Sequence, residues 1–256
     1  MSEPLLCTRC REVVVPKVVR TLTFDGRVLK EYRCPRCGSV LLIQEERISL
    51  PKRGVEKAVG LYIALEGIGG AGKTYFAKRL VALLEERGYS AVYVKEPWIP
   101  AIKEFIHKHD LDPDAEAYIF AADRIILQKE VVIPALSENK IVVSDRSVYA
   151  SIAYQCARGL NEEFLWAINR LIRIPDVVFL LDIPVSEAIR RLKAEGRRLT
   201  RYENEEYLRR VRGHYLSLSR RARSSRFYLI NAMKSKEEIE KELVNLTLRE
   251  LKQRSS

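Results

Sequence analysis

Long apolar runs are missing from this 256-residue chain: nothing approaches the ~18 consecutive apolar residues that a membrane-spanning helix needs, which excludes that class. The first residues, Met-Ser-Glu-Pro-Leu-Leu-Cys, lack the basic, apolar and small-residue succession of a secretory signal, so a cytoplasmic protein is expected. Internal repeats and low-complexity tracts are also missing, which leaves ordinary globular domains. Methionine (2) and histidine (3) are scarce while Arg, Lys and Glu are abundant, a composition found in thermophiles. Acidic residues are in deficit too. The 45 Lys and Arg against 34 Asp and Glu give a net charge of +11, which suits polyanionic ligands, nucleotides and nucleic acids alike. The excess is uneven, with 13 Lys and Arg against 4 Glu from Arg190 to Arg226, and 12 against 7 acidic residues in the first 58 positions. A solvated basic helix would look the same, so charge alone does not choose among these partners. The length fits one α/β domain of about 200 residues with a small appendage.

Four of the 5 cysteines form two Cys-x-x-Cys knuckles, Cys7/Cys10 and Cys34/Cys37. Strand-like runs lie between them, Glu12 to Thr23 and Arg27 to Tyr32, joined at the hairpin signal Asp25-Gly26, and a third run, Val40 to Gln44, follows. Knuckles on hairpins at this spacing describe a zinc ribbon, whose four thiolates close a tetrahedral, structural Zn²⁺ site. So small a unit buries little core, and the metal would supply much of its folding energy. Two disulfides would need an oxidising compartment, and an iron site of the rubredoxin kind is the other alternative. Cys156 stands alone in an apolar helical segment and reads as a core residue. The basic, polar stretch Glu45 to Lys57 reads as a linker, dividing a ribbon at residues 1–54 from a domain at 55–256.

After the linker comes Glu66-Gly-Ile-Gly-Gly-Ala-Gly-Lys-Thr74, preceded by the apolar run from Leu61 to Leu65 and followed by a helical pattern from Thr74 to Arg87. Strand, glycine-rich turn and helix are the context of a phosphate-binding loop. Gly67, Gly69, Gly70, Ala71 and Gly72 would curl the backbone so that successive N–H groups point at ATP phosphates. Lys73 would sit on the β/γ phosphates and the Thr74 hydroxyl on Mg²⁺, with the helix N-terminus adding its dipole. Beyond the loop, strands and helices alternate, which predicts a five-stranded parallel sheet flanked by helices, with strands at Gly60–Leu65, Ala91–Val94, Ile141–Ser144, Val177–Leu181 and Arg226–Ile230. The longest helix is expected from Pro113 to Leu136. Sites in such sheets gather just past the strand ends, which marks Glu96-Pro97, Asp145-Arg146, Asp182 and Asn231.

Five segments then fall in one order: Lys95-Glu-Pro97, Tyr118-Ile-Phe-Ala-Ala-Asp-Arg124, Ser144-Asp-Arg-Ser-Val-Tyr-Ala-Ser-Ile-Ala-Tyr-Gln155, Ile174-Pro-Asp-Val-Val-Phe-Leu-Leu-Asp182 and Thr200-Arg-Tyr-Glu203. Together they resemble the thymidylate kinase family, over residues 60 to about 250. The resemblance implies transfer of the γ-phosphoryl group of ATP to dTMP, which needs positioning and charge neutralisation rather than covalent chemistry. It implies that Phe120 stacks on the pyrimidine and that Arg124, one turn along the helix, donates to a base carbonyl. By the same resemblance Arg146 holds the acceptor phosphate, Asp145 orients Mg²⁺, and Glu96, Ser151 and Tyr154 face the acceptor. The stretch Glu195 to Glu203 matches a mobile lid, and because the loop interior holds no arginine, Arg197 or Arg201, with Arg198 beside them, is expected to stabilise the transferring phosphoryl group. Asn231 and Met233 match the turn that packs on adenine, and a homodimer is implied by family analogy.

Three positions depart from the family pattern: Gly69 replaces an aspartate in the loop, Ser147 an aromatic or histidine, and Lys95 an arginine. The phosphoryl-transfer set is complete while the acceptor contacts are altered. A kinase of a different nucleoside monophosphate or phosphorylated metabolite is therefore one competing reading. A nucleic-acid-binding or regulatory protein, acting through Arg9, Arg33 and Arg36 of the ribbon, is another.

Overall fold

The computed structural model describes residues 4–24, 27–47, 60–194, 196, 200–222 and 224–255, and the chain forms two compact units, residues 1–57 and 58–256. In the first unit, β1 (Leu5–Cys7) pairs antiparallel with β2 (Glu12–Val14), while β3 (Lys17–Phe24), β4 (Arg27–Arg33) and β5 (Val40–Arg47) make a three-stranded antiparallel sheet. The single run expected from Glu12 to Thr23 is thus two strands in two sheets. Pro16 lies at the break, where its missing N–H cannot serve a ladder. The strand β5 also runs through Arg47, into what reads as linker in the sequence. The Asp25-Gly26 turn and the rest of the linker, residues 48–57, lie outside the described residues.

The second unit holds β6 (Leu61–Glu66), β7 (Ala91–Lys95), β8 (Ile141–Asp145), β9 (Val177–Asp182) and β10 (Arg226–Asn231), all parallel, in the order β10-β9-β6-β8-β7. Every residue of the central β6 and of β8 is buried, as expected for strands covered on both faces. Leu61, Ile63 and Leu65 enter one apolar cluster and Tyr62 the other, so alternation along a single strand divides the core between the faces of the sheet. The helices are α1 (Lys73–Glu85), α2 (Pro100–Lys108), α3 (Pro113–Leu127), α4 (Ile133–Ser137), α5 (Val148–Cys156), α6 (Glu162–Ile168), α7 (Val185–Ala194), α8 (Glu205–Arg221) and α9 (Lys236–Ser255). Among the described residues no helix is long and apolar enough to cross a membrane.

Two details differ from the sequence pattern. The helix expected to run unbroken from Pro113 to Leu136 is interrupted by a π turn at Gln128–Val132 before α4. Pro134 explains it, because proline lacks the N–H for residue 130 and its ring would strike that carbonyl, and the wider turn relieves both. Each core strand also runs one residue further than its apolar run, so Glu66, Lys95, Asp145, Asp182 and Asn231 are strand residues held in register by the ladder. That register brings polar side chains of five strands to one edge of the sheet.

Candidate active site

The loop after β6 needs its glycines individually. Gly67, Gly70 and Gly72 have φ of 139°, 78° and 89°. A Cβ on Gly67 would lie 2.5 Å from the Leu181 carbonyl oxygen, and one on Gly70 2.5 Å from that of Ala188. The loop can therefore close only without side chains at these two points. Lys73 opens α1 and is buried, donating to the Ile68 carbonyl across 2.7 Å. Burial, with the Arg146 charge next, lowers its ammonium to about 7.

Thr74 donates its hydroxyl to Asp145 at the end of β8. Lys95, at the end of β7, reaches both, 3.1 Å from Thr74 Oγ1 and 3.2 Å from Asp145 Oδ2. Burial pushes the Asp145 carboxyl up, but Lys73, Arg146 and Lys95 outweigh it and hold it below the usual carboxylate range. Asp145 Oδ1 is buried and has no hydrogen-bond partner among the described residues. With the Thr74 hydroxyl it forms a pair of hard oxygen donors of the kind that small divalent cations take. Arg146 follows at φ 80°, a conformation rare for residues with a Cβ, fixed by its N–H to the Leu65 carbonyl at 3.1 Å. The guanidinium lies over the Tyr154 ring, 5.0 Å from its centroid.

Beside this polar cluster opens a cleft of about 320 Å³, to which Lys95, Glu96, Phe120, Arg124, Arg146, Ser151, Tyr154 and Gln155 all contribute. Arg124 is 2% exposed and its guanidinium is heavily engaged. It donates to both oxygens of Glu96 (2.6–3.1 Å), to Asn169 Oδ1 at 2.6 Å and to Ser151 Oγ at 2.8 Å, leaving one Nη1 hydrogen without a described acceptor. Burial outweighs this pairing and raises the Glu96 carboxyl. Asp123, its neighbour on α3, accepts the Trp98 and Ile99 N–H groups at 2.7 and 2.8 Å and so pins the segment after Pro97. Glu66 lies buried behind the loop, accepting from Ser147 and Tyr215 at 2.7 Å each, and burial raises it to about 7.

Several cleft residues are not marked by the sequence, and one of them stands out. Gln155, 1% exposed, lines the cleft one helical turn beyond Ser151, yet neither its Nε2 nor its Oε1 has a described hydrogen-bond partner. A buried carboxamide left unsatisfied costs roughly 1–3 kcal/mol, and its place in the cleft makes it a candidate ligand contact. The sequence carries it as the last residue of the resembling segment Ser144–Gln155, and that place alone does not separate a ligand contact from a surface position.

A family model described as thymidylate kinase matches residues 65–243. The probable thymidylate kinase of Pyrococcus abyssi is 41% identical over 202 residues, covering 75% of this chain and 98% of that protein. The one from Pyrococcus horikoshii is 40% identical over 203 residues, again 75% and 98%, and that from Methanosphaera stadtmanae is 34% identical over 200 residues, 75% of this chain and 100% of the relative. The chain belongs to the thymidylate kinase family. It is accordingly a phosphotransferase by kinship.

In this thymidylate kinase family member the departures from the family pattern have visible surroundings. Ser147 caps α5 through the Tyr149 N–H (3.3 Å) and donates to Glu66, a task that needs a short hydroxyl in a space where it is 1% exposed. Gly69 borders the stretch expected to act as a lid: a Cβ there would sit 3.4 Å from Glu203 Oε1 and 3.4 Å from Leu192 Cδ1. Glu203 closes a capping box with Thr200, accepting from its N–H at 2.8 Å and its hydroxyl at 2.9 Å. Of the lid arginines, Arg197 and Arg198 lie outside the described residues, and Arg201 is described only in its backbone, which opens the 3₁₀ turn Arg201–Glu203. Asn231 accepts the Met233 N–H at 2.9 Å, shaping the turn after β10, and Met233 is 49% exposed.

The four paired cysteines lie ahead of the matched residues. The Sγ atoms of Cys7, Cys10, Cys34 and Cys37 all fall within 4.8 Å of one another, with Cys7 to Cys37 at 3.7 Å and Cys10 to Cys34 at 3.9 Å. A tetrahedron of sulfurs about 2.3 Å from a central ion has edges of about 3.8 Å, so the cluster is shaped for a tetrahedral metal. Ser39 Oγ stands 3.0 Å from Cys37 Sγ and 3.4 Å from Cys7 Sγ, a hydroxyl that orients the sulfurs from outside. Of the ribbon's basic residues, Arg36 pairs with Glu12 at 2.6 Å and Arg33 with Glu31 at 2.5 Å.

Proposed function

We propose that this protein transfers the γ-phosphoryl group of ATP to dTMP, giving dTDP. The observation that carries the reading is Gln155, an unpartnered buried carboxamide in a cleft that opens directly beside the phosphate loop. A carboxamide offers one donor and one acceptor side by side, the complement of a pyrimidine N3–H with its neighbouring carbonyl. A flipped amide would serve cytosine equally well. The remaining Arg124 N–H supports thymine, since it can only donate and so favours a carbonyl over an amino group. Phe120 would supply the stacking face, with Ser151 and Tyr154 along the same wall and Glu96 holding Arg124 in place.

In this reading Lys73 and the loop N–H groups from Gly67 through Gly72 bind the donor phosphates, and Arg146 binds the acceptor phosphate. Thr74 and Asp145 would hold the Mg²⁺ that accompanies ATP, whose chemistry is to neutralise charge on the transferring group. The relatives' names and the family match support dTMP as acceptor. A lid arginine, Arg197 or Arg201, is assigned the charge that develops in transfer, because the loop interior Ile68-Gly69-Gly70-Ala71 carries no cation. The turn at Asn231 and Met233 is assigned to adenine. The tetrathiolate cluster is assigned a structural Zn²⁺, whose affinity for four cysteines and closed geometry fit a folding role.

Incubation with ATP, Mg²⁺ and a panel of dTMP, dUMP, UMP, dCMP and dAMP tests the substrate. The highest kcat/KM is expected with dTMP, with loss of turnover in K73A. No turnover of any acceptor, with wild type and K73A indistinguishable, overturns the reading, and a clear preference for another acceptor corrects it.

A further inference from the structure

The proposed reaction uses Thr74 and Asp145 for a divalent cation, yet both are engaged by a side chain that plays no part in that scheme. The Lys95 ammonium lies 3.1 Å from Thr74 Oγ1 and 3.2 Å from Asp145 Oδ2, bridging the two oxygen donors much as a small cation would. Three further observations bear on it. Lys95 also lines the acceptor cleft with Arg146, so one side chain borders both half-sites. Its side chain is 41% exposed and reaches inward from the end of an edge strand, which leaves its ammonium open to solvent on one side. And lysine is a compact point charge on a flexible stem, able to exchange one oxygen partner for another, where a planar guanidinium would hold one fixed geometry.

We propose that Lys95 is an exchangeable counter-ion that couples the two substrates. In the nucleotide-free protein its ammonium neutralises Asp145 and fixes the Thr74 hydroxyl. A divalent cation arriving with the donor competes for the same two oxygens and repels the ammonium. An acceptor carrying a phosphate offers Lys95 a dianion on the side of the cleft that it also lines. Acceptor phosphate therefore vacates the cation's ligands, and the cation frees Lys95 for the acceptor. Linkage requires the effect to be mutual and equal in free energy. The acceptor's phosphate drives the exchange, and its base does not.

This inference rests on the nucleotide-kinase reading, and its test is arranged so that the two fail separately. The affinity of the full chain for a non-hydrolysable ATP analogue with Mg²⁺ is measured by calorimetry alone, with saturating dTMP, and with saturating thymidine, in wild type, K95M and K95R. About fivefold or more tightening by dTMP is expected in wild type, the lower end of common coupling strengths, with none by thymidine. K95M should lose the tightening and K95R should restore part of it. In a second arm, Mn²⁺ alone is titrated by electron paramagnetic resonance without any nucleotide. There K95M should bind several-fold tighter than wild type, because Asp145 has lost its resident cation. Equal coupling in wild type and K95M, or Mn²⁺ binding no tighter in K95M, overturns the proposal. Failure of dTMP to bind wild type would instead count against the substrate reading, and the Mn²⁺ arm, which needs no acceptor, would still decide Lys95.

Discussion

Lys73 ties nucleotide affinity to pH in a way that can be worked out from its surroundings. Burial beneath the loop, with Arg146 nearby, lowers its ammonium from 10.5 to about 7. In the free protein about half the molecules then carry a neutral amine at pH 7, and about 99% at pH 9. A triphosphate binds the charged form, so above pH 7 binding must take up a proton. The expected loss of affinity is about 50-fold between pH 7 and pH 9, or ~2 kcal/mol, with a flat profile below pH 6. Stability moves the other way over the same window. Between pH 7 and 10.5 the unfolded chain holds more of this proton than the folded one, so the lysine's contribution to stability rises with pH. Opposite slopes for affinity and stability distinguish Lys73 from general alkaline damage, which would lower both. Calorimetry of ATP-analogue binding in two buffers of different protonation enthalpy should report uptake of about 0.9 proton at pH 8 and about 0.1 at pH 6, with K73M removing the difference. R146M should move the window to higher pH. Affinity independent of pH from 7 to 9, or proton uptake unchanged in K73M, would refute the reasoning.

Gln155→Leu should cost about 1–3 kcal/mol in kcat/KM for dTMP while leaving Tm unchanged or higher, since it deletes a buried group that no described residue satisfies; kinetics with thermal unfolding checks both, and a lowered Tm would mean that the carboxamide serves the fold. Arg124→Met should destabilise the protein by about 3 kcal/mol in urea titration, because Glu96 would be left buried without its cation, while the milder E96Q keeps an acceptor for the guanidinium. Elemental analysis should find one zinc per chain, and C34S should lose it and expose residues 1–47 to protease while the later sequence stays protected.

What the sequence made legible is what is local. The phosphate loop lies within nine consecutive residues, and its strand and helix flank it directly. The cysteine knuckles announce a four-sulfur cluster because each pair is fixed by its own turn. The parallel sheet follows from apolar runs that alternate with helical periods. The remainder depends on contacts between distant parts of the chain. Nothing near Arg124 predicts that Glu96, 28 residues earlier, and Asn169, 45 later, occupy most of its donors. A guanidinium read as free to meet a base is largely committed to holding the wall of the cleft. Gln155 is invisible for the complementary reason: what marks it is the absence of a partner, and that exists only once the fold has surrounded it. The π turn was readable in principle from Pro134, but periodicity on either side of a proline continues without showing how the backbone absorbs it.

Gly69 gains a different meaning from its surroundings. Taken alone, a glycine where relatives of this family carry a carboxylate reads as a missing acceptor contact. In the folded chain the space beside it is bordered by Glu203 Oε1, 3.4 Å from where a Cβ would be, and Glu203 is anchored there by Thr200. An aspartate at position 69 would bring a second carboxylate against the first in a poorly solvated wall, where like charges are costly and one of the pair is driven to take a proton. The glycine therefore keeps the loop clear of a contact between two acids, although the family pattern, whose Thr200-Arg-Tyr-Glu203 segment this chain shares, tolerates both. Gly69→Asp should for that reason lower kcat/KM for dTMP, and Glu203→Gln in the same chain should restore part of it; steady-state kinetics of the two variants checks this, and an unchanged kcat/KM in Gly69→Asp refutes it.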